Sequence, residues 1–314
     1  MPLTVENPNT NWINILDDLY KQSSLTGAMD APAGVIQATQ NAKKIKVPRY
    51  SAKQGLKNYD KASGYDTGTA TLTFDEYELS KDRNRKFVID RMDNNESLDV
   101  AIGTLGREFV KDEVVPEIDA YRFSELVDNA NNDNVNERDE DTITDDNVLS
   151  IIDGMIADAF DEEIAEEDLL LYVSNTVYKH LKNAADLRNS VMPVEMSNGL
   201  VINRKIQMLD NIPVIPVPKG RFITHVDLLN TSDGGFQATE DTGKKINVAL
   251  VSKSAVMGVV KHEITNVFTP QENQSHDGWA ICYRLYHDFF ALEAKKEKGI
   301  FIDHDDDAIN PSGD

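Results

Sequence analysis

Polar and apolar residues alternate with a period of two over much of the segment from residue 34 to residue 90. Residues 44–48 and 69–74 carry this pattern, and residues 86–90 carry it again after a polar stretch at 82–85 that predicts a turn. Between the first two strands, residues 51–68 contain three glycines and almost no large aliphatic side chain. A hairpin of this composition cannot bury a core of its own and is marginal in isolation. The pattern therefore predicts a long β-hairpin with a polar tip that needs a partner surface.

A helical period begins at Asp93. Asp93 and Glu96 have the spacing of a capping box, and Pro116 interrupts the apolar stripe that follows. The stripe resumes beyond the proline and ends near Ala130, which predicts one long helix that Pro116 can kink. Residues 131–141 are polar and charged and predict a surface loop or a domain boundary. The apolar residues before the proline, at spacings of 4, 3 and 4, are Leu98, Ile102, Leu105 and Phe109.

Helices and strands then alternate from residue 145 to about residue 265, which predicts a compact α/β or α+β domain. Thr144 is a candidate N-cap, residues 169–173 predict a short buried strand, and Ser174 is expected to cap a further helix. Residues 279–289 predict a long strand that is followed by a charged tail. The first helix is expected to bury Leu149, Ile152, Ile156 and Phe160, and further strands are predicted at 206–209, 214–217, 248–251 and 256–261.

Composition excludes several classes of protein. The chain has 314 residues, a formal net charge of −22 and one cysteine, Cys282. A single cysteine rules out a disulfide framework and any multi-cysteine zinc or iron–sulfur site. The first residues show neither a basic start nor an apolar run, and nowhere do 18 apolar residues follow one another. We expect an acidic, soluble protein of a reducing compartment.

The charge is unevenly placed along the chain. Residues 40–91 hold twelve basic and seven acidic residues, whereas residues 92–168 hold four basic and 25 acidic ones. A basic segment beside a strongly acidic one suggests two surfaces that meet, within one chain or between copies. The alternative is a set of solvated faces, because a single exposed ion pair contributes only about 0–1 kcal/mol. Specific DNA binding is not expected from a chain whose overall field repels phosphate.

The common motifs of catalysis and cofactor binding do not occur. There is no Walker phosphate loop, GxGxxG, GxSxG or HExxH, and neighbouring strand residues such as His287 and Asp288 point to opposite faces. The run from Asp303 to Asp307 is the one cluster suited to a metal ion, but a solvated acidic tail is the favoured interpretation. We therefore expect no catalytic residues, no cofactor and no metal, although catalytic residues can come from distant positions.

The order of these parts resembles that of a known family. An N-terminal arm, a basic hairpin, a long helix and an α/β domain with a late returning strand are similar to the major capsid protein of tailed double-stranded-DNA bacteriophages, which has the Hong Kong 97-type shell fold. Their order and spacing carry the resemblance. The stretches involved are 83–90 leading to Asp93, 116–122, 171–174 with Tyr178 and Leu181, 214–218 with Arg221 and Phe222, and 277–278 with Arg284 and Asp288.

The resemblance implies an α+β chain of the Hong Kong 97 type. The implied parts are an N-terminal arm at 1–33, an extended β-hairpin (E-loop) at 34–92, a peripheral domain with a long spine helix at 93–144, an axial domain at 145–275, and a returning strand of the peripheral domain with a C-terminal tail at 276–314.

The resemblance also implies a function. Copies would self-assemble into hexamers and pentamers of an icosahedral head that encloses double-stranded DNA, without enzymatic activity, cofactor or membrane. Implied partners are a separate scaffolding protein and a portal, and the implied location is the virion after assembly in the host cytoplasm. Lys–Asn crosslinks, which some members form, are not favoured because nothing points to the buried carboxylate they need. Candidate inter-subunit contacts are Lys53, Lys57, Lys61, Arg83, Arg85, Glu117, Asp119 and Arg122.

Two alternatives stay open. A nanocompartment (encapsulin-like) shell of the same fold would enclose a cargo enzyme rather than DNA, and its gene neighbours would differ from those of a phage. An acidic cytosolic enzyme or binding domain with a dispersed site would be a stable monomer in light scattering.

Overall fold

A computed structural model describes most of the chain. The residues described are 24–31, 37–38, 43–52, 55–59, 61, 64–65, 67–91, 106–184, 194–196, 199–201, 206–273, 277–292 and 298–309. The predicted capping box at Asp93 and Glu96 lies outside them.

The described elements are named in chain order. The helices are α1 (Val115–Asn129), α2 (Val148–Asp161) and α3 (Asn175–Asn183). The strands are β1 (Gln37–Ala38), β2 (Lys44–Ala52), β3 (Ala70–Glu78), β4 (Lys81–Asp90), β5 (Val135–Glu137), β6 (Leu169–Ser174), β7 (Val194–Met196), β8 (Gly199–Val201), β9 (Met208–Leu209), β10 (Ile212–Val217), β11 (Val226–Leu228), β12 (Phe236–Ala238), β13 (Lys244–Ser252), β14 (Val256–Phe268), β15 (Gly278–Ala291) and β16 (Ile300–Ala308). Short 3-10 turns lie at Gly27–Met29, Asn132–Asn134, Glu140–Thr142, Glu166–Asp168 and Lys219–Arg221.

A six-stranded mixed sheet forms the first layer, with the order β5-β16-β13-β6-β10-β9. Its central strand β6 pairs in parallel with β10 and antiparallel with β13. All six residues of β6 are buried because both faces of the sheet are covered. Leu171 and Val173 enter a core with α2 and α3, whereas Leu170 and Tyr172 enter a second core with α1. The buried strand predicted at 169–173 is confirmed.

Helices α2 and α3 cover one face of the first sheet, and the sequence-based prediction is correct for α3 and partly wrong for α2. Ser174 accepts a hydrogen bond at Oγ from the Val177 amide at 3.2 Å, so the predicted cap of α3 is confirmed. The prediction for α2 was wrong at its start, because Asn147, not Thr144, stands at the N-cap. It was also wrong for Phe160, which is exposed. The helix therefore turns a slightly different stripe toward the sheet, formed by Val148, Ile152, Met155, Ile156 and Ala159.

A second sheet of three long antiparallel strands has the order β14-β15-β4. The strand predicted at 279–289 is confirmed as the central strand β15, which pairs with β4 from Gly278–Asp90 to His287–Lys81. The turn predicted at 82–85 was wrong, because these residues are the regular start of β4. The chain turns instead at Leu79 and Ser80, where the Ser80 amide donates to Asp288 Oδ2 at 2.7 Å.

Helix α1 packs against both sheets and continues an earlier helical stretch across Pro116. Residues 106–109 are α-helical, Val110–Val114 form a π-helical turn, and α1 follows with Pro116 in its first turn. Proline lacks an amide hydrogen and is tolerated where the local ladder is already altered. The prediction of one long helix that ends near Ala130 is confirmed for the described residues 106–129.

The last strand and the polar linker differ from the expectations. Residues 303–307 are not a solvated tail, because they belong to β16, whose residues Ile300–Asp305 are buried beside β13. Residues 131–141 are not all loop, because β5 adds to the edge of the first sheet in parallel with β16. Both segments are too acidic for a periodicity argument to place them in a sheet.

Candidate functional site

The hairpin of β2 and β3 extends from the body of the subunit. The strands pair antiparallel from Lys44–Glu78 to Ala52–Ala70. Among the described residues of the hairpin, those at its base are packed, where Ile45, Val47 and Leu79 contact a cluster that includes Met257 and Tyr286. This cluster holds the root of the hairpin, and the rest of the hairpin projects from the subunit.

Large apolar side chains on the projecting part of the hairpin face solvent. Leu56 is fully exposed, and Tyr65 retains 91% of its exposure. Tyr59 and Tyr65 contact each other, with ring centroids 5.3 Å apart. An exposed apolar patch of this kind marks an interaction site rather than an ordinary surface. The other exposed apolar side chains on the hairpin are Tyr50, Leu72 and Phe74.

The charges of the hairpin are partly paired within it. Lys46 Nζ lies 2.6 Å from Glu76 Oε1, and Arg49 Nη1 lies 3.9 Å from Asp75 Oδ2. The hydrogen bond from Lys46 lowers the pKa of the Glu76 carboxyl. The basic residues between positions 81 and 91 lie on β4 or directly after it, and not on the hairpin. The hairpin is therefore less basic than the sequence block suggested, and its exposed apolar side chains are the stronger signal.

Three of the candidate contact residues are lysines of the hairpin tip. Lys57 and Lys61 are exposed there, and Lys53 lies outside the described residues. An inter-subunit role for these lysines stays a prediction.

Arg83 connects β4 to helix α1 and to the loop at residues 229–235. Its guanidinium contacts Glu117 of α1 twice, with Nε 2.7 Å from Oε1 and Nη2 3.1 Å from Oε2. The remaining N–H groups donate to the Leu229 carbonyl at 3.0 Å, to Asn230 Oδ1 at 3.0 Å and to the Gly235 carbonyl at 3.3 Å. All five donors of the planar guanidinium are thus used. The observed partners of Arg83 and Glu117 are within their own chain.

Arg85 borders a groove next to this junction. Its Nη1 donates to the Ser232 carbonyl at 2.7 Å. The groove has a volume of about 280 Å³ and lies between β4, β15 and the helix that precedes α1. Phe109 packs edge-on against Phe87 and Tyr283, with centroid distances of 4.9 and 5.7 Å. These three aromatic rings line the groove beside Arg85.

Asp119 and Arg122 are placed inside the subunit, where neither side chain is exposed. Asp119 binds the segment 24–26 and Arg122 binds Thr26 and Asp30. The two residues are thus not presented to a neighbouring copy, and their role is to hold residues 24–31. Helical periodicity could not predict these contacts, because Asp119 and Arg122 lie more than 90 positions from their partners in the sequence.

Buried ionisable groups also lie under β15 and β16. His287 is fully buried, edge-on to Tyr121 at 5.5 Å, and burial together with the nearby Arg122 lowers its pKa to about 3. Tyr121 donates to Asp288 Oδ1 at 2.5 Å. Burial raises the pKa of Asp303 to about 6, although Arg138 Nη1 lies 3.2 Å from Oδ2 and opposes the shift. These groups pack within the subunit.

Within the described part of the chain, no group of three or more His, Cys, Asp or Glu side chains is arranged to hold a metal ion. Over the same residues, no helix has the length and apolarity to cross a membrane.

A sheet covered by helices, a second sheet of long strands under a spine helix and a projecting hairpin define the shell fold of phage capsids. The mature capsid of bacteriophage PhiM1 is similar, with a TM-score of 0.55 and 10% identity over 85% of this chain and 83% of that chain. The capsid of Ralstonia phage GP4 is similar with a TM-score of 0.53 and 12% identity over 100% of this chain and 95% of that chain. A virus-like particle from Pyrococcus furiosus is similar with a TM-score of 0.50 and 10% identity over 95% of this chain and 99% of that chain.

No protein-family model and no curated protein matches the sequence. The similarity therefore lies in the fold, and at this level the expected α+β fold of the Hong Kong 97 type is confirmed. The division of the chain into an arm, a hairpin and two domains stays a prediction.

Proposed function

We propose that this chain is the major capsid protein of a tailed double-stranded-DNA bacteriophage. Copies assemble into hexamers and pentamers that close into an icosahedral head around the packaged DNA. The observation that carries the proposal is the projecting hairpin, whose apolar side chains Leu56, Tyr59 and Tyr65 face solvent in the isolated subunit. The shell fold shared with phage capsid structures supports it.

The hairpin supplies the contact between copies. Burying a side chain such as Leu56 on a neighbouring copy contributes about 2 kcal/mol. One such contact is weak, but a closed shell repeats it at every subunit, and the repeated contacts add.

The charge of the chain suits a container for DNA. A net charge of −22 leaves little attraction for phosphate, so the DNA is enclosed rather than bound in a sequence-specific way. A separate scaffolding protein and a portal are the partners we propose for assembly in the host cytoplasm. The role is structural, in the virion, and involves neither catalysis nor a cofactor.

Assembly measured with matched hairpin variants tests the proposal. Leu56→Ser should raise the protein concentration needed for particles by about 30-fold, the equivalent of about 2 kcal/mol per contact. Leu56→Met keeps the apolar contact and should assemble like the wild type. Deletion of Ser51–Gly68 should give soluble subunits that form no closed shell. The readouts are light scattering and negative-stain electron microscopy, and normal particles from the deletion variant would refute the role of the hairpin.

A nanocompartment shell is the second candidate, favoured by the similarity to the virus-like particle from Pyrococcus furiosus. Gene neighbours separate the two functions, since a terminase and a portal gene belong to a phage and a peroxidase or ferritin-like gene to a compartment. A stable monomer under all conditions would instead support an acidic enzyme or binding domain.

A further inference from the structure

Residues 24–31, named the strap below, lie across α1 like a bound peptide. The Asp119 carboxylate accepts hydrogen bonds from the strap through Oδ1 and Oδ2. The donors are Ser24 Oγ at 2.9 Å, the Leu25 amide at 3.2 Å, the Thr26 amide at 3.3 Å and Thr26 Oγ1 at 2.7 Å. Met29 inserts into the core between α1 and the first sheet. The strap is thus recognised through its backbone, its hydroxyls and one apolar anchor.

Arg122 holds the other end of the strap. Its Nη2 lies 2.6 Å from Asp30 Oδ1, and its Nη1 donates to the Thr26 carbonyl at 3.2 Å. Gly258 of β14 makes this approach possible. A Cβ atom at position 258 would lie 2.8 Å from Asp30 Oδ1 and 2.9 Å from Arg122 Nη2, which is too close for either contact to persist unchanged.

The strap ends at the root of the hairpin. The Ala31 amide donates to the Gly258 carbonyl at 2.9 Å, and Ala31 packs on the cluster that contains Ile45 and Val47 of β2. The end of the strap therefore forms part of the surface on which the hairpin root rests.

The charge of Asp119 is also balanced by a residue outside the strap. Asp119 and Arg122 carry opposite charges, and Arg221 Nη1 lies 3.4 Å from Asp119 Oδ2. The carboxylate therefore keeps a counter-charge when the strap leaves. Among the described residues, the strap pairs with β14 through one isolated bridge between Asp30 and Gly258 and forms no strand ladder with it.

We propose that the strap is a releasable clamp that sets the direction of the hairpin. When it is seated, the hairpin root is fixed and the subunit is competent to assemble. When it is released, the root loses one side of its packing and the hairpin no longer meets its partner copy. This inference rests on the proposed function, in which the hairpin makes the contact between copies.

Two full-length variants release the clamp from opposite sides. Asp30→Asn removes the charge that pairs with Arg122, and Gly258→Ala pushes Asp30 away from β14. Asp146→Asn, at an exposed position in the turn before α2, is the matched control. Hydrogen exchange should show the amides of residues 29–31 exchanging at least tenfold faster in both variants, with less than a twofold change in β6. The concentration needed for particle formation should rise at least tenfold in both and stay unchanged in Asp146→Asn.

Three results would overturn the proposal. Equal acceleration in the strap and in β6 would make the strap an inseparable part of the core. Unchanged exchange in the strap would show that the contact between Asp30 and Arg122 does not hold it. Faster exchange with normal assembly would show that its release does not affect the hairpin. If the wild type itself forms no particles, the proposed function fails, and the exchange data still decide whether the strap is releasable.

Discussion

Truncation of Arg83 is the sharpest test of how the subunit is held together. Arg83→Ala removes five hydrogen-bond donors and leaves the Glu117 carboxylate without its cation. The side chains of Arg83 and Glu117 are 20% and 14% exposed, between the limits of surface pairs and buried pairs. Surface pairs contribute about 0–1 kcal/mol, and breaking a buried pair costs about 3–5 kcal/mol. We expect a loss of about 2–3 kcal/mol, which for a chain of this length corresponds to a fall in Tm of about 3–5 °C.

Urea unfolding of unassembled subunits measures this loss, with Arg49→Ala as a matched control. Arg49 is an exposed arginine 3.9 Å from Asp75, so its removal should change the stability by less than about 1 kcal/mol. Arg83→Lys should recover part of the loss, because an ammonium can pair with Glu117 but cannot reproduce the planar fork. A double-mutant cycle with Glu117→Gln should give a coupling of about 1–3 kcal/mol. An Arg83→Ala variant as stable as Arg49→Ala, or strictly additive effects in the cycle, would refute the reasoning.

Two further substitutions test buried groups of the first sheet. Asp303→Asn should stabilise the subunit at pH 7.5, by at most about 3 kcal/mol, and change little at pH 4. The pKa of Asp303 is raised from the ordinary 3.8 to about 6, so its protonated form favours folding at low pH and this contribution is lost as the pH rises to 6. Urea midpoints across this range check the prediction, and a loss of stability at pH 7.5 would mean that the pairing with Arg138 outweighs burial. Ser174→Ala should lower the free energy of unfolding by about 1 kcal/mol, because it leaves the Val177 amide without its cap. Ser174→Asn is the rescuing control, and equal urea midpoints for the two variants would contradict the capping role.

Elements with a strong local signal were predictable from the sequence. The strand at 169–174 has an uninterrupted apolar run, and Ser174 precedes a helix with apolar residues at helical spacing. The long strand at 278–291 and the hairpin strands also carry period-two patterns. These patterns act within a few residues, so they survive in any tertiary context that buries the apolar face.

Elements whose burial depends on distant partners were not predictable. Asp303 and Asp305 lie in a buried strand because Asn247 and Arg138 satisfy them from other parts of the chain. Residues 82–85 look like a polar turn, yet they form a strand because β15 supplies the ladder and Arg83 finds Glu117 on α1. A charged residue in a sheet is stable only when its partners are in place, and the partners do not lie nearby in the sequence.

Composition and periodicity predict the shell-like order of elements, the polar hairpin without a core and the acidic character of the chain, because both are local properties of the sequence. Packing of the folded chain brings Asp119 and Arg122 into contact with residues 24–31 and Arg83 of β4 into contact with Glu117. It also decided which apolar side chains remain exposed on the hairpin. Whether a charge is stable inside the subunit depends on which opposite charge the folded chain brings within about 3 Å of it. That distance is set by the packing of the whole subunit.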